Sequence, residues 1–325
     1  MNERKPFPAA AIVGPTAVGK TALSLLLAER LGAEIISVDS RQVYRFLDVG
    51  ADKISPEIRK KITHHMIDVV DPDEVFSAAD FVARSRDAVR RITARGRIPL
   101  FVGGTPFYYE ALFSGLLSDS APKDEGLRRE FEEFAEREGN RALHHRLALA
   151  DPETAERLHV NDVRRVVRAL EISTLTNMPA SEWFRKTEKM PGRGEFDVLY
   201  IGLNRDRKLL FESIEKRVRE QFAGGFVEEV EWLLERGYDE RFPSMQGFGY
   251  KDIVDYFRGR CTLEEAADRD ISQTKAFSRR QMTWFSKFSP IVWYDTTDSP
   301  MPDLSERIEK EVRAHLGKGT GENHR

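Results

Sequence analysis

A single cysteine, Cys261, in 325 residues excludes an internal disulfide and any multi-cysteine zinc site. No apolar run approaches the ~20 residues that a helix needs to cross a bilayer, so no membrane role is expected. The stretch MNERKPFPAAAIVG carries too short an apolar segment for a signal peptide, and that segment runs straight into glycine. A cytoplasmic location is therefore expected. Charge of one sign is also scarce: 51 Lys plus Arg against 54 Asp plus Glu leaves −3. That balance argues against indiscriminate nucleic-acid binding, although it hides any local concentration. No internal repeat or low-complexity block is present. Hydrophobic residues at 40% and charged residues at 32% describe a globular chain long enough for one large or two smaller domains.

Within that ordinary composition the segment AIVGPTAVGKTALS is distinctive. Gly14, Pro15, Thr16, Ala17, Val18, Gly19, Lys20 and Thr21 spell the phosphate-binding loop, between an apolar strand-like run (9–13) and a helix through Leu31. The glycines let several N–H groups point at an anion, and the helix adds its positive dipole end. Lys20 supplies a point charge, and the Thr21 hydroxyl is placed to hold Mg2+ bridging phosphates.

Further strand-like runs at 33–40, 98–105, 196–203 and 290–295 alternate with helical periodicity, as at 81–94, which implies βαβ units. Asn204 stands where it could cap the next helix, which carries Leu210, Ile214, Val218 and Phe222 on one stripe. Residues 119–193 lack strand-like runs and are charge-dense and helical. The expected fold is α/β, a P-loop parallel sheet flanked by helices with an inserted all-helical domain. Residues 1–118 and 194–317 form the core, 119–193 the insertion and 318–325 a frayed tail. Ligands of parallel sheets bind at the carboxyl ends of strands, and Gly14, Asp39 and Thr105 each stand just past one.

Asp39 has three readings: a magnesium partner, a general base, or a cap on its own turn. Spacing does not choose among them. Tyr44, Phe107, Tyr108 and Tyr109 stand near the same strand ends and could line an apolar slot, although core packing explains any one of them. His64 and His65 lack a third metal ligand at suitable spacing, so loop packing or hydrogen bonding is expected of them. Arginines and lysines concentrate at 84–97, 164–168 and 275–287. One such cluster is usually a solvated helix face, whereas three together suggest a basic binding surface. In the last of them Lys275, Arg279, Arg280 and Lys287 alternate with Phe277, Trp284, Phe285 and Phe288, a mixture suited to single-stranded RNA.

Seven segments in order, GPTAVGKT (14–21), DSRQVY (39–44), HHMID (64–68), GGTPFYYEAL (103–112), HVNDVRRVVRALEI (159–172), QGFGYK (246–251) and SRRQMTWF (278–285), resemble the tRNA dimethylallyltransferases of bacterial type. The resemblance implies transfer of a dimethylallyl group from dimethylallyl diphosphate to N6 of adenosine 37 in tRNA, with release of diphosphate and with Mg2+ as cofactor. It implies Asp39 as base, with Thr105 and Lys20 completing the catalytic set. Thr16 to Thr21 and Arg217 would contact diphosphate. Asp39, Ser40, Arg41, Gln42 and Thr105 would contact the target nucleotide. Arg128, Arg164, Arg165, Val166, Val167 and Arg168 would meet the tRNA, as would Gln246, Gly247, Phe248, Gly249, Tyr250 and Lys251. Lys53 falls in a family-like pattern, but Ala51 and Asp52 depart from it and leave its role open. The partners implied are the anticodon stem-loop, clamped by the insertion, and dimethylallyl diphosphate; the chain is expected to act as a monomer.

Other readings remain. A small-molecule kinase using ATP accounts for the loop but not for the basic insertion or QGFGYK. A prenyltransferase acting on free AMP accounts for the chemistry but not for three basic clusters. An RNA-binding nucleotide switch leaves the aromatics near the loop unexplained.

Overall fold

The computed structural model describes residues 6–115, 121–187 and 195–317, so the expected frayed tail at 318–325 lies outside the described residues. The chain divides into two compact units, Met1–Tyr109 with Glu195–Arg325, and Glu110–Gly194. The first boundary falls at Glu110 rather than at 119, where a π-helical turn, Glu110–Ser114, opens the second unit.

The first unit is built on strands β1 (Phe7–Val13), β2 (Ala33–Val38), β3 (His64–His65), β4 (Ile98–Gly103), β5 (Phe196–Asn204) and β6 (Ile291–Asp295). They form one sheet in the order β3-β2-β4-β1-β5-β6, parallel throughout. All six residues of β2 and the last five of β1 are buried. Their continuous apolar runs are what a parallel sheet covered on both faces requires. The two-residue β3 was not legible as a strand, because a pair of histidines has no alternation to read. It pairs with Ile35 and Ile36 at the sheet edge.

Helix α1 (Lys20–Leu31) follows β1 and ends at Gly32, whose left-handed φ of 64° suits glycine. After α2 (Pro56–Lys61) comes α3 (Ala78–Ala94), which opens with a reciprocal Ser77–Asp80 capping box. The short α4 (Pro106–Tyr109) follows β4. Beyond β5 lie α10 (Arg207–Ala223), α11 (Phe226–Glu235), α12 (Tyr250–Phe257), α13 (Leu263–Phe285) and, after β6, α14 (Met301–Gly317). The cap of α10 is Asp206, accepting from Lys208 N at 2.9 Å and Leu209 N at 3.1 Å. Asn204 instead closes β5, because strand pairing with Asp295 extends that far. One core joins the sheet to α1, α10 and α14 through Leu23, Leu27, Ile214 and Ile308. A second packs Val43 and Leu47 against Phe226, Val230 and Ile253.

The second unit is helical throughout its described residues: α5 (Glu125–Glu138), α6 (Asn140–Ala150), α7 (Pro152–Arg157), α8 (Val163–Thr176) and α9 (Ala180–Thr187). Its core includes Leu143, Leu147, Leu170 and Ile172, together with Val166 at 0% exposure and Val167 at 3%. Glu171 is fully buried there. It accepts from Asp124 N at 2.8 Å and pairs with Arg128 Nε at 3.0 Å and with Arg168 Nη1. Burial alone would raise the pKa of Glu171, but these three donors outweigh it and hold the carboxyl below its ordinary range.

A carboxylate depressed in the folded state contributes stability above its unfolded pKa and loses that contribution as pH falls. Glu171→Ala is expected to destabilise the second unit by roughly 3 kcal/mol, because it removes the buried carboxylate that Arg128 and Arg168 share and leaves Asp124 N without its acceptor. Denaturant unfolding should show this deficit at neutral pH and show it shrinking below the ordinary carboxylate range; an unchanged midpoint at neutral pH would contradict it.

Candidate active site

The loop after β1 owes its shape to local backbone geometry. Gly14 has φ 145°, and a Cβ there would fall 2.6 Å from the Leu203 carbonyl oxygen. Gly19, at φ 103°, supplies no side-chain cap to α1, so the first amides of that helix stay available to an anion. Lys20 folds back over the loop and donates to Pro15 O at 2.7 Å and Gly14 O at 3.1 Å. Burial first, and then the neighbouring Arg217, lower its pKa to about 8. Arg217 reaches in from α10. Its Nη2 donates to Thr16 Oγ1 at 2.8 Å, its Nη1 pairs with Asp52 at 3.1 Å, and its Nε is buried without a partner. The N–H of Thr16, expected to face diphosphate, donates instead to Gln281 Oε1 at 2.9 Å.

On the neighbouring strand ends, Asp39 Oδ1 accepts from Arg41 N at 2.7 Å and Gln42 N at 3.3 Å, while Thr105 Oγ1 accepts from Ser40 N at 3.2 Å. Among the described residues Oδ2 of Asp39 has no hydrogen-bond partner. The turn-capping reading of Asp39 therefore describes one oxygen and leaves the other for a ligand. Gln42 is turned inward: it accepts from Ser37 Oγ at 2.8 Å and donates to Ala51 O and Asp52 O. Arg41 Nη1 donates to Pro243 O at 2.8 Å and Ser244 O at 3.0 Å, which ties this turn to the approach of the 246–251 segment.

The two sides line one cavity of about 490 Å3, which takes in Thr16, Lys20, Thr21, Asp39 and Arg217. Another wall consists of Phe248, Tyr250, Phe277, Asp270 and Thr274. Asp270 accepts from Thr274 Oγ1 at 3.0 Å, and burial raises its pKa to about 6. The expected aromatic slot is thus made of different residues. Tyr44, Tyr108 and Tyr109 are core side chains, with Tyr108 stacked on Phe81 and the Tyr109 hydroxyl donating to Ile12 O. Phe107 meets Trp284. Helix α4 thus turns Tyr108 to α3, Phe107 to α13 and Tyr109 to the sheet, and none of the three lines the cavity. Phe248, Tyr250 and Phe277 are expected from sequence to face RNA; their shared cavity wall is not legible because nothing in linear sequence brings 248–250 to 277.

Other expected contacts are also redistributed. In the 246–251 segment, Gln246 and Lys251 are exposed, Phe248 is half-buried, and Gly247, Gly249 and Tyr250 are buried. The Tyr250 hydroxyl donates to Glu229 at 2.7 Å, so that hydroxyl is not offered to an outside partner. In the second unit Arg164 and Arg165 are exposed, whereas Val166 and Val167 are core residues and cannot meet an RNA through their side chains. Arg128 and Arg168 are committed to Glu171. Lys53, 2% exposed, is held between Asp48 at 2.8 Å and Asp68 at 2.5 Å and fastens its own loop. His64 meets Ile62 O and His65 meets Glu34, and no cluster of three or more His, Cys, Asp or Glu able to hold a metal occurs among the described residues. Glu229, which nothing in the sequence sets apart from the other acids of α11, accepts from Asp48 N, Val49 N and Gly50 N at 2.6–3.2 Å as well as from Tyr250.

A helix N-terminus without a side-chain cap, a half-buried lysine and an arginine with an unspent N–H face a carboxylate oxygen across one cavity, an arrangement suited to an α/β enzyme with an anionic ligand. Comparison with known proteins then identifies the family. The IPP transferase family model matches residues 42–288. A tRNA dimethylallyltransferase of Geobacillus thermodenitrificans is 42% identical over 94% of this chain and 96% of the relative. A tRNA dimethylallyltransferase 2 of Geotalea uraniireducens is 46% identical over 89% and 92%. Among solved structures, the tRNA isopentenylpyrophosphate transferase of Bacillus halodurans has a TM-score of 0.72 at 37% identity, covering 99% of this chain and 100% of that one. A eukaryotic dimethylallyltransferase acting on tRNA has a TM-score of 0.78 at 28% identity, covering 95% and 78%. The chain belongs to the IPP transferase family, whose curated relatives here are bacterial tRNA dimethylallyltransferases.

The lowered pKa of Lys20 sets a pH dependence. An anion beside the ammonium raises its pKa, so binding favours the protonated form, is strongest below about pH 8, and weakens as pH rises through it. Calorimetry with inorganic diphosphate should show proton uptake by the protein above pH 8 that is absent in Lys20→Met, which serves as the baseline for the ligand's own titration. Equal uptake in both proteins would show that Lys20 is not the group involved.

Proposed function

We propose that the chain transfers the dimethylallyl group of dimethylallyl diphosphate to N6 of adenosine 37 in tRNA, releasing diphosphate. The observation that carries this reading is the pairing, in one cavity, of an anion-binding end with the unpartnered Oδ2 of Asp39. The bacterial relatives, named for dimethylallyl transfer to tRNA, support the same donor and acceptor.

Carbon–oxygen cleavage of an allylic diphosphate leaves negative charge on the departing group. The amides at the start of α1, Lys20 and Arg217 are placed to stabilise that charge as it develops. Adenine N6 is a poor nucleophile because its lone pair is delocalised into the ring. Asp39 Oδ2 would take its proton as the new bond forms, while the backbone N–H groups on Oδ1 hold the carboxylate in orientation. Thr105, whose hydroxyl accepts from Ser40 N, keeps the hydroxyl proton to offer to the nucleotide. Phe248 and Phe277 would shield the allylic carbon from water.

Mg2+ fits this donor set. The exposed Thr21 hydroxyl would suit a hard cation that takes its remaining ligands from diphosphate oxygens and water, which leaves Asp39 Oδ2 free for proton transfer. Bound there, it would neutralise charge on the leaving diphosphate. On the acceptor side the anticodon stem-loop is the proposed partner, with Arg164, Arg165, Gln246 and Lys251 as exposed polar contacts. A base that reacts at N6 must leave its stack, which single-stranded loops permit at low cost.

The deciding assay incubates the protein with Mg2+, labelled dimethylallyl diphosphate and unmodified tRNA, beside reactions offering AMP and ATP. Label on adenosine 37 alone is expected. Label on AMP would move the chain to free-nucleotide prenyl transfer, and ATP consumption without prenyl transfer would make it a kinase. In the same assay Asp39→Asn is expected to slow the chemical step by about 10²–10⁴-fold with tRNA affinity retained; near-normal turnover would remove Asp39 from proton transfer.

A further inference from the structure

The loop that holds the donor and the turn that carries the base follow different strands, and their separation must be fixed to a fraction of an ångström for transfer to occur. Gln281 lies between them near the end of α13 and is only 2% exposed. Its Oε1 accepts from Thr16 N at 2.9 Å, and its Nε2 donates to Gly104 O at 2.5 Å. Thr16 belongs to the loop after β1, and Gly104 begins the loop after β4. The next residue, Thr105, accepts from Ser40 N beside Asp39. A continuous hydrogen-bonded path therefore runs from the diphosphate loop to the carboxylate turn, with one side chain as its bridge.

We propose that Gln281 is a positioning residue for the transfer reaction, fixing the phosphate loop against the Gly104–Thr105 end of the acceptor site. This inference rests on the function proposed above.

Three features favour positioning over generic packing. Only a side-chain amide offers a donor and an acceptor at one planar end: glutamate would accept only, lysine would donate only, and methionine would do neither well. The approach is too close for any residue but glycine at the partner position, since a Cβ on Gly104 would fall 2.4 Å from Nε2. The bridge is also held from a stiff element. Asp270, Thr274, Ser278 and Gln281 recur at helical spacing on the buried side of α13, and the first two line the cavity wall. Gln281 need not touch either substrate; it acts through the two backbone groups it holds.

The test compares wild type, Gln281→Met and Gln281→Glu in the tRNA prenylation assay, with folding followed by circular dichroism. Both variants are expected to lower kcat by about 10- to 100-fold, the scale of an ångström of misplacement, while each KM moves by no more than about threefold. The cost of Asp39→Asn should shrink in the Gln281→Met background, because a misplaced base has less to lose. A folded variant with kcat within about twofold of wild type, a loss confined to KM, or a fully additive double variant would overturn the proposal. Should the methionine variant not fold, the glutamate variant decides by the same criteria, since it keeps the shape and the Thr16 contact. Absence of prenylation by wild type would instead overturn the proposed function.

Discussion

The site depends on Gly103. This residue pairs with Val13 on one side and with Val38 on the other, so three parallel strands end at one level. The chain leaves them side by side, as the phosphate loop from Gly14, the acidic turn from Asp39, and the Gly104–Thr105 step between. A Cβ on Gly103 would lie 2.0 Å from the Val38 carbonyl oxygen, so this approach admits no other residue. Because parallel strands share their direction, a single register places an anion-binding loop and a carboxylate in one cavity, with the Thr105 hydroxyl bonded to Ser40 N beside that carboxylate, without requiring any loop to be long. Gln281 and Glu229 act on that arrangement after the fact, the first bridging two of the loops and the second gathering the amides of 48–50.

Charge in the cavity is balanced rather than accumulated. Burial lowers Lys20 and raises Asp270, and both shifts move toward neutrality. A buried charge without a partner costs several kcal/mol, so a ligand-free cavity is most stable when its ionisable groups can surrender their charge. Arg217 cannot do so, and it is instead paired with Asp52 on the loop that Glu229 clamps. Its buried Nε is the nitrogen of that side chain left without a hydrogen-bond partner. On the proposed reading an arriving diphosphate would meet a lysine whose positive charge it stabilises and an arginine with N–H groups to give, while Asp52 remains exposed enough to release its partner.

The sequence carried the fold well where one strong periodicity or motif spoke for each element. The continuous apolar runs of β1, β2 and β4, followed each time by glycine or aspartate, reveal a parallel sheet and the level at which it binds. The phosphate loop is legible because glycine at 14 and 19 and lysine at 20 serve a purpose that no core position would. What could not be read is how distant segments meet. Tyr108 and Tyr109 lie beside the strand end in sequence yet belong to the core, while Phe248 and Phe277 line the cavity from two separate helical regions. Burial likewise reverses the meaning of Val166, Val167 and Tyr250, whose motif looks like a contact surface until the side chains are seen to face inward. Gln281 was visible as one letter of SRRQMTWF, but its two backbone partners were not.

Counting basic residues along the chain also overstates what an RNA would meet. In the 84–97 cluster Arg90 and Arg91 share Asp87, Arg86 pairs with Glu195, and Arg95 with the buried Glu34. In the 164–168 cluster Arg168 is spent on Glu171 and Arg165 approaches Asp162, which leaves Arg164 without an ion-pair partner among the described residues. The 275–287 cluster keeps more of its charge: Lys275 pairs with Glu215, but Arg279 lies over Phe211, Arg280 over Phe277, and Lys287 is exposed. Guanidiniums resting on rings stay charged and lose little freedom when a phosphate or a base arrives. The net charge of −3 is thus compatible with an RNA partner, because what a polyanion feels is the unpaired remainder at a few positions and not the sum over the chain.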